Sequence, residues 1–286
     1  MNLQEQLDSV RHNASGDIRF WLLLNPNPRL QRDLYELAKN SYYQPIFTET
    51  SMAPLLELSP WLVEMDEKGR LSEMYQRNAE QRDSWQGIVI AAPQSCPPEA
   101  LKDHLLSRMR VQYGDQQKGI LHYQLPAVLH YLITEAKADA DHWLGLLEAA
   151  IWYRPEYAIG TETGWCSYQR QGEAESSSEV EGYPLTEQQQ QAFRYQALDK
   201  QLLTYLENLS AARELHISVP VQRIIMQLAE REQIAEPQII KLLQLAMEAD
   251  PDALLAIRGH CAQLPAAELE LQLQRVQQNI DREIIA

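Results

Sequence analysis

The sequence predicts an α/β N-terminal lobe, with a mixed, partly parallel sheet and flanking helices, followed by an all-α C-terminal lobe. Three observations carry that expectation. Compact β-branched and aromatic runs alternate with helical stretches through the first part of the chain. All six Trp lie before residue 166, and no aromatic residue follows Tyr205. Between these zones, Gln171 to Gly182 reads QGEAESSSEVEG, polar and acidic without a hydrophobic period, which marks an exposed linker. The expected domains are residues 1–170, an acidic linker over 171–185 and a helical domain over 186–286.

In chain order, Ile18 to Leu24 is an apolar run stopped by Asn25-Pro26-Asn27-Pro28, the pattern of a buried strand. Arg29 to Asn40 places Leu30, Leu34, Leu37 and Ala38 on one helical face. Pro45-Ile46-Phe47 and Trp61 to Met65 are short strand candidates, and Leu71 to Arg82 is a polar helix candidate. Trp85 to Ala91 is the clearest strand, β-branched and closed by Pro93. Pro97-Pro98-Glu99 then opens a helix carrying Leu101, Leu105, Leu106 and Met109. Ile120 to Gln124 is expected as strand and Ala127 to Glu135 as helix. Strands separated by helices suggest the partly parallel sheet.

Beyond the linker, Thr186-Glu187-Gln188-Gln189 has capping-box spacing. Pro220, Pro237, Pro251 and Pro265 punctuate further helical stretches. Ile239 to Met247 is apolar nearly all round, the mark of a buried helix. The final stretch aligns Leu269, Leu273, Val276 and Ile280 on one face. That stripe, together with Trp61, Trp85, Trp152 and Trp165, makes up the candidate partner-binding residues.

Charge narrows the function classes. With 25 Lys+Arg against 40 Asp+Glu the net charge is −15, which speaks against nucleic acid and against anionic membranes as partners. The excess is spread: residues 1–170 carry −6 (16 basic, 22 acidic) and residues 171–286 carry −9 (9 basic, 18 acidic). The N-terminus has neither a basic nor an apolar leader segment, and no apolar run approaches a membrane span. A cytoplasmic protein without stable membrane association is expected. Cys96, Cys166 and Cys261 are far apart and form no Cys-x-x-Cys, so they are expected as ordinary thiols.

Catalytic signatures are missing: no phosphate-cradling loop, no Gly-x-Ser-x-Gly, no His-Glu-x-x-His. The His residues are scattered, and Glu148 with Glu156 is a pair that an acidic chain produces by chance. No catalytic, cofactor-binding or metal residue is therefore assigned, and no enzyme activity or cofactor is expected.

Three segments resemble a known family. A strand over Ile18 to Leu24 leads into a helix. Gln44-Pro45-Ile46-Phe47-Thr48-Glu49-Thr50, then Leu58-Ser59-Pro60-Trp61-Leu62-Val63-Glu64-Met65, is similar to a "pLf-x-x-T … aPyLv-x-l" pattern. Trp85-Gln86-Gly87-Ile88-Val89-Ile90, then Leu101-Lys102-Asp103-His104-Leu105, is similar to "WG-i-l … eL-x-x-HLr". The family is that of the type VI secretion effector chaperones or adaptors, long classed as a domain of unknown function. One departure stands out: where relatives read "fRfyDP-x-vL", this chain has His122 and Leu125 at the Arg and Asp positions. The resemblance implies a non-enzymatic cytoplasmic factor that binds a cognate toxin effector and helps load it onto the spike protein. An immunity-like inhibitor of a toxin is the first rival. An enzyme using His122, His130 or His142 in an unrecognised α/β site is the second.

Overall fold

The computed structural model describes residues 2–38, 41–81, 85–114, 117–154, 164–172 and 182–208, with side chains to residue 201. The chain divides into two compact units, Met1–Glu156 with Glu162–Phe193, and Tyr157–Thr161 with Arg194–Ala286. Sheets and helices described below belong to the first unit, apart from the C-terminal part of the last helix.

The main sheet has six strands: β1 (Ile18–Leu24), β2 (Tyr43–Pro45), β3 (Trp61–Glu64), β4 (Gly87–Pro93), β7 (Ala149–Tyr153) and β8 (Trp165–Gln169), in the order β2-β3-β1-β4-β7-β8. Every neighbouring pair is antiparallel. A second sheet joins β5 (Arg110–Tyr113) antiparallel to β6 (Gln117–Ile120) and parallel to β9 (Tyr183–Pro184). Residue 120 thus ends a strand, and residues 121–124, expected to continue it, are irregular.

The expected mixed, partly parallel main sheet is corrected by this topology. Strands β1 and β2, linked through a helix, do run the same way, as do β3 and β4. Yet β3 is inserted between the first two, and β1 separates the second two. A crossover linkage fixes relative direction, not adjacency, so the alternating pattern was compatible with either sheet. Apolar runs did not discriminate either. Along β1, Trp21 and Leu23 enter one core while Phe20, Leu22 and Leu24 enter the other. Burial on both faces, more familiar in parallel sheets, here produces the same continuous run in an antiparallel one.

Helices cover both faces. On one side lie α4 (Pro98–Met109), α5 (Pro126–Thr134) and α6 (Ala140–Leu144), contributing Leu101, Leu105, Leu129, Leu132, Trp143 and Leu144. On the other lie α1 (Leu3–Asn13), α2 (Leu30–Leu37) and α3 (Arg70–Gln81), contributing Leu3, Leu7, Leu30, Leu34, Leu71 and Tyr75. Helix α1 starts with a capping box: Glu5 N donates to Asn2 Oδ1 at 2.9 Å, and Asn2 N donates to Glu5 Oε2 at 2.8 Å.

The expected all-α C-terminal lobe is also corrected. Among the described residues only α7 (Glu187–Asn208) follows the linker region, and its first turns complete the first unit. Gln189 and Ala192 are buried, and Phe193 packs on the same core as α4 and α6. Periodicity attributed to a separate lobe therefore begins with residues that close this one. The capping box at Thr186 does form: Gln189 N donates to Thr186 Oγ1 and Thr186 N donates to Gln189 Oε1, both at 3.1 Å. Most of the expected acidic linker, residues 173–181, lies outside the described residues, as do the helices expected over 209–286. No described helix is long and apolar enough to cross a membrane.

Candidate interaction surface

Three of the four candidate Trp residues are core side chains. Trp85, Trp152 and Trp165 are buried, and each indole N–H has an internal partner. Trp85 donates to Asp33 Oδ2 at 3.3 Å, Trp152 to His130 Nδ1 at 3.2 Å and Trp165 to Glu80 Oε1 at 2.9 Å. Satisfied in this way, they stabilise packing and offer no contact face. Trp61 is half-buried and stacks on Tyr43, ring centroids 6.3 Å apart. Leu269, Leu273, Val276 and Ile280 lie outside the described residues.

The His candidates are engaged separately. His130 receives the Trp152 indole, His122 Nδ1 lies 3.1 Å from Gln124 Nε2, and the His142 ring lies against Tyr183. Glu148 is bound by Arg170 at 2.7 Å in a largely buried ion pair, and Glu156 lies outside the described residues. Among the described residues no group of three or more His, Cys, Asp or Glu side chains could hold a metal ion. Cys96 and Cys166 are free, half-buried thiols whose pKa burial pushes up, away from reactivity.

A different segment forms the candidate surface. Between β2 and β3 the chain makes a tight loop and then a 3-10 helix, Ala53–Leu58, in which no residue is buried. Leu55, Leu56 and Leu58 are 39, 46 and 53 % exposed. Single exposed leucines are ordinary on a protein surface, but three within four residues form a patch.

The sequence builds this patch by anchoring everything around it. Ile46 and Phe47 are fully buried and hold the loop's start in the core. Thr50 Oγ1 donates to Phe47 O at 2.8 Å and accepts from Met52 N at 3.1 Å. At the far end Ser59, also fully buried, accepts from Phe47 N at 2.9 Å and donates to Pro60 O at 3.0 Å. Thr50 and Ser59 thus clamp the two ends of the turn. Glu49 adopts φ of 59°, a left-handed conformation that costs a non-glycine residue on the order of 1 kcal/mol.

Beside the loop that precedes the turn lies an open groove of about 300 Å3, lined by Glu49, Thr50, Ser51, Asp103, Leu106, Ser107 and Arg110. Arg110 Nη2 donates to Ser51 Oγ at 2.8 Å, tying the loop to the start of β5. Exposed Ile120 stands cross-strand from Arg110. Glu57 is an exposed carboxylate within the turn, and Glu49 and Asp103, also exposed, line the groove.

Sequence reasoning missed Leu55, Leu56 and Leu58. They match neither strand nor helix period, and Pro54 and Pro60 bracket them. The usable signal was indirect: a leucine-rich run between two prolines, too short to bury itself, set between two patterned segments.

Residues 20–142 match a family described as Domain of unknown function (DUF4123). That stretch runs from β1 into α6 and contains the leucine turn and its groove entire. No curated protein matches the chain, and no solved structure matches it.

Proposed function

We propose, on the premise of that match over residues 20–142, that the chain is a non-enzymatic chaperone or adaptor for a type VI secretion effector. In this reading it binds the effector in the cytoplasm, covers apolar segments of it and assists its loading onto the spike protein. The observation that carries the reading is the exposed Leu55-Leu56-Leu58 turn, clamped at its two ends by the hydrogen bonds of Thr50 and Ser59 inside the matched region. A rigid scaffold loses little freedom on binding, so apolar burial converts efficiently into affinity. Removing the remaining exposed surface of three half-exposed leucines contributes about 1 kcal/mol each. Together that is roughly a hundredfold in affinity before any rim contact. The net charge of −15 keeps such an apolar patch soluble while no partner is present.

Co-expression tests the reading. The full chain is expected to co-purify with a toxin encoded beside a spike-protein gene, while the isolated toxic domain keeps its enzymatic activity in the chain's presence. Recovery of no such effector would overturn the reading. Inhibition of the isolated toxic domain would replace it with an immunity role.

A further inference from the structure

The leucine turn carries information about the chemistry of what it binds. Its surroundings in the chain are acidic: Glu49 lies in the loop before it, Glu57 lies between Leu56 and Leu58, and Asp103 lines, with Glu49, the groove beside that loop. Against these three carboxylates stands Arg110, half-buried, its guanidinium already donating to Ser51. A partner with acidic residues beside its apolar anchors would meet like charge here, in a chain of net charge −15.

The neighbouring sheet edge argues against an extended partner. Strand β2 leads directly into the turn and is the outer strand of the six-stranded sheet, but it has three residues and ends in Pro45. Proline offers no N–H to an added strand, so this edge is poorly suited to strand addition. An exposed 3-10 turn that carries Leu55 and Leu58 three residues apart suits the apolar stripe of a helix instead, whose anchors are spaced three and four residues apart.

We infer that the surface formed by Leu55, Leu56 and Leu58, with Glu57 in the turn and Glu49 and Asp103 at the groove beside the preceding loop, is a docking site for a basic amphipathic helix of the partner protein. The inference rests on the adaptor reading and adds the partner's chemistry. Leucine-like anchors of the helix cover the turn, and its Lys or Arg side chains reach the carboxylates. Long-range attraction from the acidic chain speeds encounter, so association weakens as salt is added.

The probes are a fluorescein-labelled amphipathic helix of leucine and lysine, and its leucine–glutamate counterpart, titrated with the full chain by fluorescence anisotropy. The leucine–lysine helix is expected to bind, and its counterpart is not. Replacing Leu55, Leu56 and Leu58 together by Ser is expected to weaken binding by roughly tenfold or more. A Leu58→Ser variant serves as the milder check should the triple variant melt earlier than the parent. Replacing Glu49, Glu57 and Asp103 by Lys is expected to reverse the preference between the two helices. Equal affinity of the parent and the leucine variants for the leucine–lysine helix would overturn the inference, because charge alone would then explain binding. Loss of a concentration-dependent dimer on Leu→Ser substitution, with peptide affinity unchanged, would assign the surface to a second copy of the chain and likewise overturn it. Co-purification separates the two levels. An effector retained by the triple Ser variant refutes the docking site and leaves the adaptor reading standing. A parent chain that retains no effector, yet binds the basic helix through these leucines, refutes the adaptor role and leaves the docking site standing.

Discussion

His104 is only 1 % exposed, with Nε2 at 2.9 Å from the Leu144 carbonyl oxygen and Nδ1 without a hydrogen-bond partner. Nε2 therefore carries the proton that it donates, and Nδ1 is a bare acceptor. Burial, reinforced by the nearby Arg108 guanidinium, pulls the imidazole pKa down to about 3. The unfolded chain takes up this proton below about pH 6.5, whereas the native chain resists it until about pH 3. Between those values the unfolded state binds more protons, so native stability falls as pH drops through that window. By pH 5 His104 alone is expected to account for a loss of roughly 2 kcal/mol relative to pH 7. Urea unfolding at both pH values checks this, with His104→Gln expected to flatten the difference by that amount. Gly87 is a second residue with no freedom to change. A Cβ there would lie 2.6 Å from the Leu23 carbonyl oxygen and 3.0 Å from Leu24 Cα, both backbone atoms of the neighbouring strand. Gly87→Ala is expected to cost about 1–3 kcal/mol, read as a lower urea midpoint with an unchanged slope. Neither constraint was legible beforehand, because a histidine and a glycine inside apolar motifs declare their neighbours only once the strands are paired.

At the scale of elements, legibility followed burial. Strands β1, β3 and β4 and helices α2, α3, α4 and α5 could be read from the chain because each puts a regular apolar face, or two, into a core. Helix α1 escaped notice although Asn2 and Glu5 form a capping box, since its buried Leu3, Leu7 and Val10 are diluted among eight polar or charged neighbours in an eleven-residue helix. Strand adjacency could not be read, because neither β1 nor β2 carries a sign in its own residues that β3 inserts between them. The candidate site was illegible for the opposite reason: its leucines are exposed, and exposed residues follow no period. What could be read was the clamp around them. The Ile46-Phe47 and Thr50 segment and the Ser59-Pro60 segment both carry the family-like sequence pattern, and the structure gives that pattern its mechanics. Ser59→Ala is expected to leave the buried Phe47 N–H without a partner, at about 1–3 kcal/mol. Faster amide exchange at Phe47, and weaker partner retention than in the parent chain, would register the loosened turn. Exchange unchanged at Phe47 would mean that water or another group replaces the hydroxyl.

For the whole molecule, the C-terminal boundary of the first unit is the informative feature. Tyr183 is buried with the Arg108 guanidinium 4.6 Å from its ring centroid, and Leu185 and Phe193 pack on the same core. A chain ending at Gly182 is expected to melt about 10 °C below one ending at Gln201, since several buried side chains and a strand are lost together. Differential scanning calorimetry of the two truncations checks this, and equal melting temperatures would show that β9 and the start of α7 add nothing to the first unit. The order of strands across the main sheet has its own consequence for biosynthesis. Strand β1 sits mid-sheet and precedes its partners in the chain: β4, its longest pairing partner, follows only at Gly87–Pro93, and β7 beyond that at Ala149–Tyr153. At ribosomal speed the apolar run from Phe20 to Leu24 stays without that partner for on the order of 10 s. Over that interval β3 can pair with only one edge of this apolar run, and the other edge stays open to strands of other nascent chains.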